Sequence, residues 1–570
     1  MTDTKKTCQA DDCVAACSQM KISRRTVLKS SALLGGCAVL MNQIDGAYNL
    51  LHAMESGVAG AGDYPLAKAT SVIYSACLQC HTACPIKVKI LNGVAVKIDG
   101  NPFSENLIPN LNYDTAPAKA AKIDAGLCPK GQAGIQSLYD PYRVVKVLKR
   151  KGPRGSNRWE IVAFDKAISE IVNGGELFKG IGENRRVPGL KELYAMNDAK
   201  LSAAMEADVK EVAAGKMKVA DFKGKYSAHL DKLIDPEHPD LGPKNNQFVG
   251  MWGRIEHGRI EFGKRFMHGG FGSNNIIEHT SICEQSHHIA YKEATNQYKE
   301  GKWSAGITHM KPDSFNAECI IYFGTGFIEA NFGPPAMCPK VTDGLVAGRL
   351  KVIVVDPRMS KSASRAWKWL PVKPSTDAAL ALAMIQWMIG NKRYDEKYLT
   401  AANLAAAKAA GETTWSDATH LVKIEKDGPG ALARAEELGA GDKDSFVVVQ
   451  GGKPVAVKTD DDKNAVVGDL DFSGEINGVK VKTAFTILKE EALVKTIDQW
   501  SEICGIPTAD IELVAKEFTS HGKKAGVEFY RGPVKHTSGY YNAQALIALN
   551  ILIGNTDHKG GMSVGGGHWH

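Results

Sequence analysis

Cys77, Cys80 and Cys84 form a tight run, and Cys128 follows after 43 further residues in Gly126-Leu127-Cys128-Pro129-Lys130-Gly131. Two and then three intervening residues let one short loop wrap three corners of a cubane iron–sulfur cluster, while a distant segment supplies the fourth thiolate. The chemistry of such a group is electron transfer. A closed tetrahedral zinc site uses the same four donors, and a disulfide pair is open to an exported chain. The spacing alone leaves these alternatives standing.

A further cysteine, Cys283, sits in a polar segment running from Gly272 to His288, with His279, His287 and His288 around it. A solitary cysteine is either buried filler or a reactive or metal-bound thiol. Beyond it, Gly324-Thr325-Gly326, Asp356-Pro357-Arg358 and Lys373-Pro374-Ser375-Thr376-Asp377 occur within some sixty residues. Glycine admits a phosphate, and an aspartate can hold a ribose or a base edge. One Gly-x-Gly is an ordinary tight turn; three such loops in succession read as nucleotide binding.

These residues need elements to hold them. Ile86 to Leu91 alternates apolar and basic residues, Asn92-Gly93 is a two-residue hairpin turn, and Val94 to Ile98 returns, so the cysteines border a small hairpin domain. Cys319 to Phe323 and Lys351 to Val355 are continuous apolar runs that read as buried strands of a parallel α/β sheet, each ending in one of the polar loops. An alanine-rich helix is expected from Ala378 to Ile389. The Ala195–Lys232 stretch reads as a solvated helical excursion, and residues 442–481 as a β-rich insertion.

The N-terminal Ser23-Arg24-Arg25-Thr26-Val27-Leu28-Lys29, followed by a mildly apolar stretch to Leu40, reads as a twin-arginine export signal rather than a membrane span. A periplasmic location follows, with Leu34-Gly35-Gly36-Cys37 as a lipidation site that competes with simple cleavage. Cys8, Cys13 and Cys17 precede the signal without an assigned role. The chain has 570 residues, 44% of them hydrophobic, enough for several folded domains. Its formal charge of +7 is small and dispersed, which argues against nucleic-acid binding, and 12 cysteines are too few for a disulfide scaffold.

Four elements in this order carry a resemblance: the cysteine quartet, the Asn274-Asn275 to Ile282-Cys283 segment, the Val355-Asp356-Pro357-Arg358 loop with Thr376-Asp377, and Leu549-Asn550-Ile551-Leu552-Ile553-Gly554-Asn555 leading to Lys559-Gly560-Gly561. From about Ala69 to its end the chain resembles the molybdenum oxidoreductases of the dimethyl sulfoxide reductase superfamily, which carry a bis-molybdopterin guanine dinucleotide. Within that superfamily the nearest likeness is to catalytic subunits of tetrathionate reductases, with arsenate, selenate, thiosulfate and polysulfide reductases nearby.

The resemblance implies that Cys77, Cys80, Cys84 and Cys128 hold a 4Fe-4S cluster, that Lys130 lies between the cluster and the nearer pterin, and that Cys283 ligates molybdenum, with tungsten as the alternative metal. It places the guanine dinucleotide on Gly324, Thr325, Gly326, Asp356, Arg358 and Asp377, and brings His536 to a pterin. For a small anionic substrate, cationic donors should line the pocket. Arg254, His257, Arg259, Lys264, His279, His287 and His288 form the pool, with Arg259 and His279 foremost as catalytic residues. The implied partners are a membrane subunit that oxidises quinol and, between it and this chain, a multi-cluster iron–sulfur electron-transfer subunit.

The implied architecture is α/β and multidomain. Residues 1–65 are signal and linker, and 66–149 the iron–sulfur domain. Residues 150–282 with 515–570 make one doubly wound parallel-sheet domain, and 283–514 a second. Chains of the family continue past Gly560-Gly561 into a β-barrel domain that covers both dinucleotides, and here it is missing. Two rival readings remain: a formate dehydrogenase-type molybdenum enzyme, and a non-catalytic iron–sulfur electron-transfer subunit.

Overall fold

A computed structural model describes residues 69, 71–80, 82–105, 107–253, 258–283, 285–328 and 334–564. The twin-arginine stretch, Cys8, Cys13, Cys17, Cys37, Arg254, His257 and residues 565–570 lie outside the described residues. The described residues form two compact units, one holding Lys87–Asp99 with residues 71–75, the other holding Ala76–Ile86 with the described residues from Gly100 to Val564.

The first unit is built on a three-stranded sheet of β1 (Ser71–Ala76), β2 (Pro85–Leu91) and β3 (Val94–Gly100), in that order. Asn92 and Gly93 both take positive φ, +50° and +80°, as the expected two-residue turn requires. The basic residues of β2 do not face solvent: Lys87 and Lys89 are buried, and Lys89 is paired with the buried Asp99 at 3.2 Å.

In the second unit, the region between the cysteine-bearing segments and residue 300 is largely helical. Asp198 caps the helix Ala199–Ala213 by accepting from the Lys200 and Leu201 amides, and Met196, Met205, Phe222, Tyr226 and Leu233 close a small core around it. Two short strands, β4 (Gly250–Trp252) and β5 (Ile276–Glu278), pair in parallel and so leave in the same direction. Two helices follow, α1 (Thr280–Cys283) and α2 (Gln285–Thr295).

The core of this unit is a four-stranded parallel sheet of β6 (Cys319–Phe323), β7 (Lys351–Val355), β8 (Lys368–Leu370) and β9 (Ala525–Phe529), in the order β8-β7-β6-β9. The period of two shows in its packing. Cys319, Ile321, Phe323, Ile353 and Val355 enter the main core on one face, whereas Ile320, Tyr322, Val352 and Val354 enter a second core on the other. Both faces are covered, which is why these strands read as unbroken apolar runs. Helices α3 (Asp377–Gly390) and α4 (Gly539–Leu552) are apolar around most of their circumference, and each is buried accordingly. They pack on each other, and α4 also packs on α2 and β9.

Two sequence expectations change here. The sequence groups residues 515–570 with 150–282, yet their strand β9 is hydrogen-bonded to β6, from Cys319↔Ala525 to Phe323↔Phe529. The physical reason is burial: all five residues of β9 are enclosed, and only a strand covered on both faces offers that. Among the described residues, 150–282 contributes the β4/β5 parallel pair and no second doubly wound sheet. The β-rich insertion is also longer than 442–481. Its four-stranded antiparallel sheet starts at Leu421 and ends at Thr483, beside a hairpin of Phe446–Gln450 and Lys453–Val457.

As the last strand of its sheet, β9 has an edge to protect. Asn550 of α4 does so by mimicking a strand: its Oδ1 accepts from the Val527 amide at 2.8 Å, and its Nδ2 donates to the Val527 carbonyl at 3.0 Å. Asn555 donates to the Ala525 carbonyl at 2.7 Å and to Asn550 Oδ1 at 2.9 Å. The polar positions of the Leu-Asn-Ile-Leu-Ile-Gly-Asn motif are thus edge caps. Asn550→Leu conserves volume but leaves two buried peptide groups unsatisfied, so urea denaturation should show a loss of about 2–4 kcal/mol. A loss below about 0.5 kcal/mol would mean that water replaces the side chain.

Candidate functional site

The cysteine quartet gathers through backbone closure. The Cys77 amide donates to the Cys84 carbonyl at 2.8 Å, closing the loop that carries Cys80. Gly100 and Ala125 exchange hydrogen bonds at 2.9 and 3.2 Å, and the Asn101 amide donates to the Pro85 carbonyl, which brings the Cys128 segment back to the first one. Cys128 then sits directly before the short helix Pro129–Gln132, whose proline is suited to the first helical position.

All four thiols are free, Cys77 and Cys84 buried, Cys80 and Cys128 half-buried. Burial, reinforced by the Cys80, Cys77 and Cys128 sulfurs, pushes the Cys84 thiol up to about 12. Burial likewise raises Cys77; the Gln79 backbone and Lys130 pull it back. Four sulfurs in mutual electrostatic reach cannot all ionise without a compensating positive charge. A thiophilic metal or metal cluster supplies that charge, and the all-sulfur donor set fits one. Lys130, exposed on the Pro129–Gln132 helix, acts electrostatically on Cys77.

A fifth thiol, which nothing in the local spacing marks, joins the quartet to the parallel sheet. Cys338 lies within electrostatic reach of Cys128, and its Sγ donates to the Phe327 and Ile328 carbonyls at 3.5 and 3.6 Å. Those carbonyls immediately follow the glycine loop at the end of β6. The thiol pocket therefore abuts the crevice where the strands end.

The loops leaving β6, β7 and β9 gather at the carboxyl ends of these strands, the position at which open α/β sheets take nucleotides. Gly324 has φ +52°, and a Cβ there would stand 2.8 Å from Gly532 Cα. Thr325 is buried beside it, with Gly326 next in the loop. At the end of β7, Asp356 Oδ1 accepts from the Arg358 amide at 2.8 Å, and Trp369 Nε1 donates to the Asp356 carbonyl at 2.7 Å, so the turn is fixed while Arg358 stays exposed.

Asp377 opens α3 and is buried. Its carboxyl is pushed up to about 6, chiefly by burial and to a lesser extent by Asp356, against the lowering effect of its own backbone bond and of His536. The expected nucleotide residue Asp377 thus lies within electrostatic reach of both Asp356 and the expected pterin neighbour His536.

Asn542 holds this arrangement, and sequence reasoning misses it. Its Nδ2 donates to the Pro533 carbonyl at 3.0 Å and lies 2.9 Å from His536 Nε2, while its Oδ1 accepts from the Ala378 amide at 3.2 Å. One buried side chain ties the loop after β9 to the start of α3. An asparagine inside an apolar helix such as α4 is the available signal, because a polar group there requires partners.

Cys283 is buried at the end of α1, and its amide donates to the His279 carbonyl at 2.9 Å, so the two share one turn. His279 Nδ1 is buried without a hydrogen-bond partner among the described residues. Arg259 stands exposed at the first position of the Arg259–Lys264 helix. The sequence presents the histidines only as neighbours of Cys283. The structure groups His287 and His288 instead with His309, one ring nitrogen of each lying within 4.8 Å of those of the other two. No local pattern announces His309, which lies more than twenty positions downstream and arrives by tertiary packing.

Asp377 gives a pH test in the cofactor-free protein. Its folded-state value lies above the ordinary 3.8, so the stability it contributes is present below about pH 4 and is lost as pH rises through about 6. Asp377→Asn should therefore match the parent at pH 4 and exceed it by roughly 2–3 kcal/mol at pH 8 in urea denaturation. Parallel stability curves would show that the carboxyl is solvated.

The sequence profile of the Molybdopterin oxidoreductase family matches residues 240–565. A selenate reductase subunit of Mesobacillus selenatarsenatis is 52% identical over 97% of this chain and 53% of its own length. A tetrathionate reductase subunit of Archaeoglobus fulgidus is 32% identical over 96% of this chain and 50% of its own. The molybdopterin-containing subunit of the arsenate respiratory reductase of a Shewanella species is 23% identical, over 96% and 47%. The chain spans about half the length of these curated relatives. With more than half of its residues matched by the profile and the sheet, crevice and thiols in place, the chain belongs to the molybdopterin oxidoreductase family, among reductase subunits of the dimethyl sulfoxide reductase superfamily.

Proposed function

We propose that this chain is the cluster- and cofactor-bearing portion of the catalytic subunit of a respiratory reductase for an oxyanion or sulfur compound. The observation that carries the reading is the adjacency of the four-thiol pocket to the strand-end crevice through Cys338, since an electron entering at the thiols has a short path to a cofactor lying on the sheet. Cys77, Cys80, Cys84 and Cys128 hold a 4Fe-4S cluster in this reading. A bound molybdenum-bis(molybdopterin guanine dinucleotide) supplies two-electron chemistry at a metal whose protein ligand is Cys283.

The chain's own residues bind and orient. The Gly324–Gly326 loop lets a phosphate approach the backbone, and the carboxylates of Asp356 and Asp377 accept hydrogen bonds from a guanine edge or ribose. A donor placed against Asp377 brings its raised pKa back toward the ordinary carboxylate range, a favourable contribution present only when the dinucleotide is bound. Lys130 offsets negative charge beside the thiols.

Selenate is the first substrate to assay, ahead of tetrathionate, on identities of 52% against 32% to the corresponding relatives. Arsenate, thiosulfate and polysulfide follow. Electrons would come from a multi-cluster iron–sulfur partner and a quinol-oxidising membrane subunit. The twin-arginine residues Arg24 and Arg25 support a periplasmic site of action. Among the described residues no helix is long and apolar enough to cross a membrane.

Anaerobically produced protein should contain about four iron atoms and about one molybdenum or tungsten atom per chain, and should oxidise a reduced viologen with selenate. Cys283→Ala should abolish turnover with iron content unchanged, whereas Cys84→Ala should lose the iron. Iron without molybdenum or tungsten would leave an electron carrier, and formate oxidation without oxyanion reduction would place the chain with the formate enzymes.

A further inference from the structure

Along α4 beyond Asn542, a cavity of about 640 Å³ opens between α2, α4 and the β-rich insertion. It shares no lining residue with the strand-end loops or with the cysteine pocket. His420, the residue before the first strand of the insertion, lines this cavity and is only 1% exposed. Its ring packs against Trp415 and Phe446, at centroid distances of 5.7 and 5.6 Å, and both of those rings line the cavity too. Neither nitrogen of His420 has a hydrogen-bond partner among the described residues.

A buried imidazole left without partners is a cost that folded chains avoid, so water or a bound molecule completes it. Burial holds His420 below the ordinary histidine range, against the raising effects of Asp417 and the Ala402 backbone, and so favours the neutral ring. A neutral imidazole offers one N–H donor and one bare nitrogen as acceptor. The walls define the rest of the ligand. Trp303, Trp415, Tyr398 and Phe446 present aromatic surface, and Ile547 and Ile551 aliphatic surface. Glu293, Asp417 and Asp557 are the lining carboxylates, and no lysine or arginine lines the cavity. Arg434 and Lys523 lie over the Phe446 and Tyr398 rings without lining it. An anion would meet these carboxylates with no compensating cation, whereas O–H or N–H donors on an uncharged ring find acceptors. The volume is that of a site for an organic molecule of several rings or one ring with a tail.

We infer that this cavity is a second ligand site, in which His420 takes an uncharged planar aromatic molecule bearing hydroxyl or N–H donors. One donor of that molecule meets the bare imidazole nitrogen, the Trp415 and Phe446 rings take its faces, and Asp417, exposed at the rim, accepts from a further donor. The site is independent of the proposed reductase reading, because it uses neither the thiols nor the strand-end loops. It admits neither an oxyanion nor the phosphates of a dinucleotide.

The test is calorimetric titration of the anaerobic holoenzyme with naphthol, a hydroxylated ring pair that needs no redox partner. Saturable binding of one equivalent per chain, with Kd below about 1 mM, is expected. Methoxynaphthalene, which lacks the donor, and hydroxynaphthalene sulfonate, which adds a negative charge, should each bind about tenfold more weakly or worse. His420→Phe keeps a ring of similar size and removes both nitrogens, so naphthol affinity should fall about tenfold. His420→Gln retains a donor and an acceptor and should recover most of it. Trp415→Leu, at a half-buried position, should cost about fivefold and decides the matter should His420→Phe fail to fold. Iron content and a thermal midpoint no lower than the parent's certify that a variant is folded. Absence of naphthol binding to the parent overturns the inference and leaves a cavity that holds water alone. Naphthol affinity unaltered in every folded variant overturns it too, as does an ether or sulfonate that binds as tightly as naphthol.

Discussion

The approach of Gly324 to Gly532 is the constraint on which the crevice depends. The loops leaving β6 and β9 meet backbone to backbone: a Cβ on Gly532 would lie 2.5 Å from the Gly324 carbonyl oxygen. Parallel pairing in register brings Phe323 and Phe529 to the same edge, and the absence of two side chains lets the chains turn away from each other there. Everything placed around that edge follows from it. Thr325 is buried beside the contact, Asn542 anchors the loop after β9 to the start of α3, and His287 packs on Tyr530 one residue past the strand.

The second theme is charge held in costly places. Four thiols share a pocket in which burial and mutual repulsion oppose ionisation, and Asp377 is a carboxyl held near 6 by burial at the mouth of a helix. Neither arrangement stabilises the protein by itself. Groups so perturbed concentrate at sites that complete themselves with a ligand, because the bound group returns the solvation that folding removed. The thiol pocket and the crevice touch through Cys338, so the two costs are located side by side.

Electrostatic asymmetry runs through the same end of the sheet. Acidic groups, Asp356 and Asp377, stand at β7 and α3, where hydrogen-bond donors of a base or sugar would be read. Imidazoles, Lys311 and Arg531 stand around Tyr530 at β9.

The sequence by itself determined a good deal. Unbroken apolar runs at 319–323 and 351–355 were legible as strands enclosed on both faces, Asn92-Gly93 as a hairpin turn, and the helix after Asp377 to within a residue, because each depends on local propensity and period. Cysteine spacing and loop chemistry named the thiols, the glycines and the aspartates. What only the tertiary structure decided is where distant segments go. The partner of β9 is β6, 206 residues away in register, and no local signal specifies that choice. The gathering of His309 with His287, and the tie from Asn542 to His536 and Ala378, are likewise products of packing. Periodicity reports which face of an element is buried, but not against what; that is settled only when the chain closes its core.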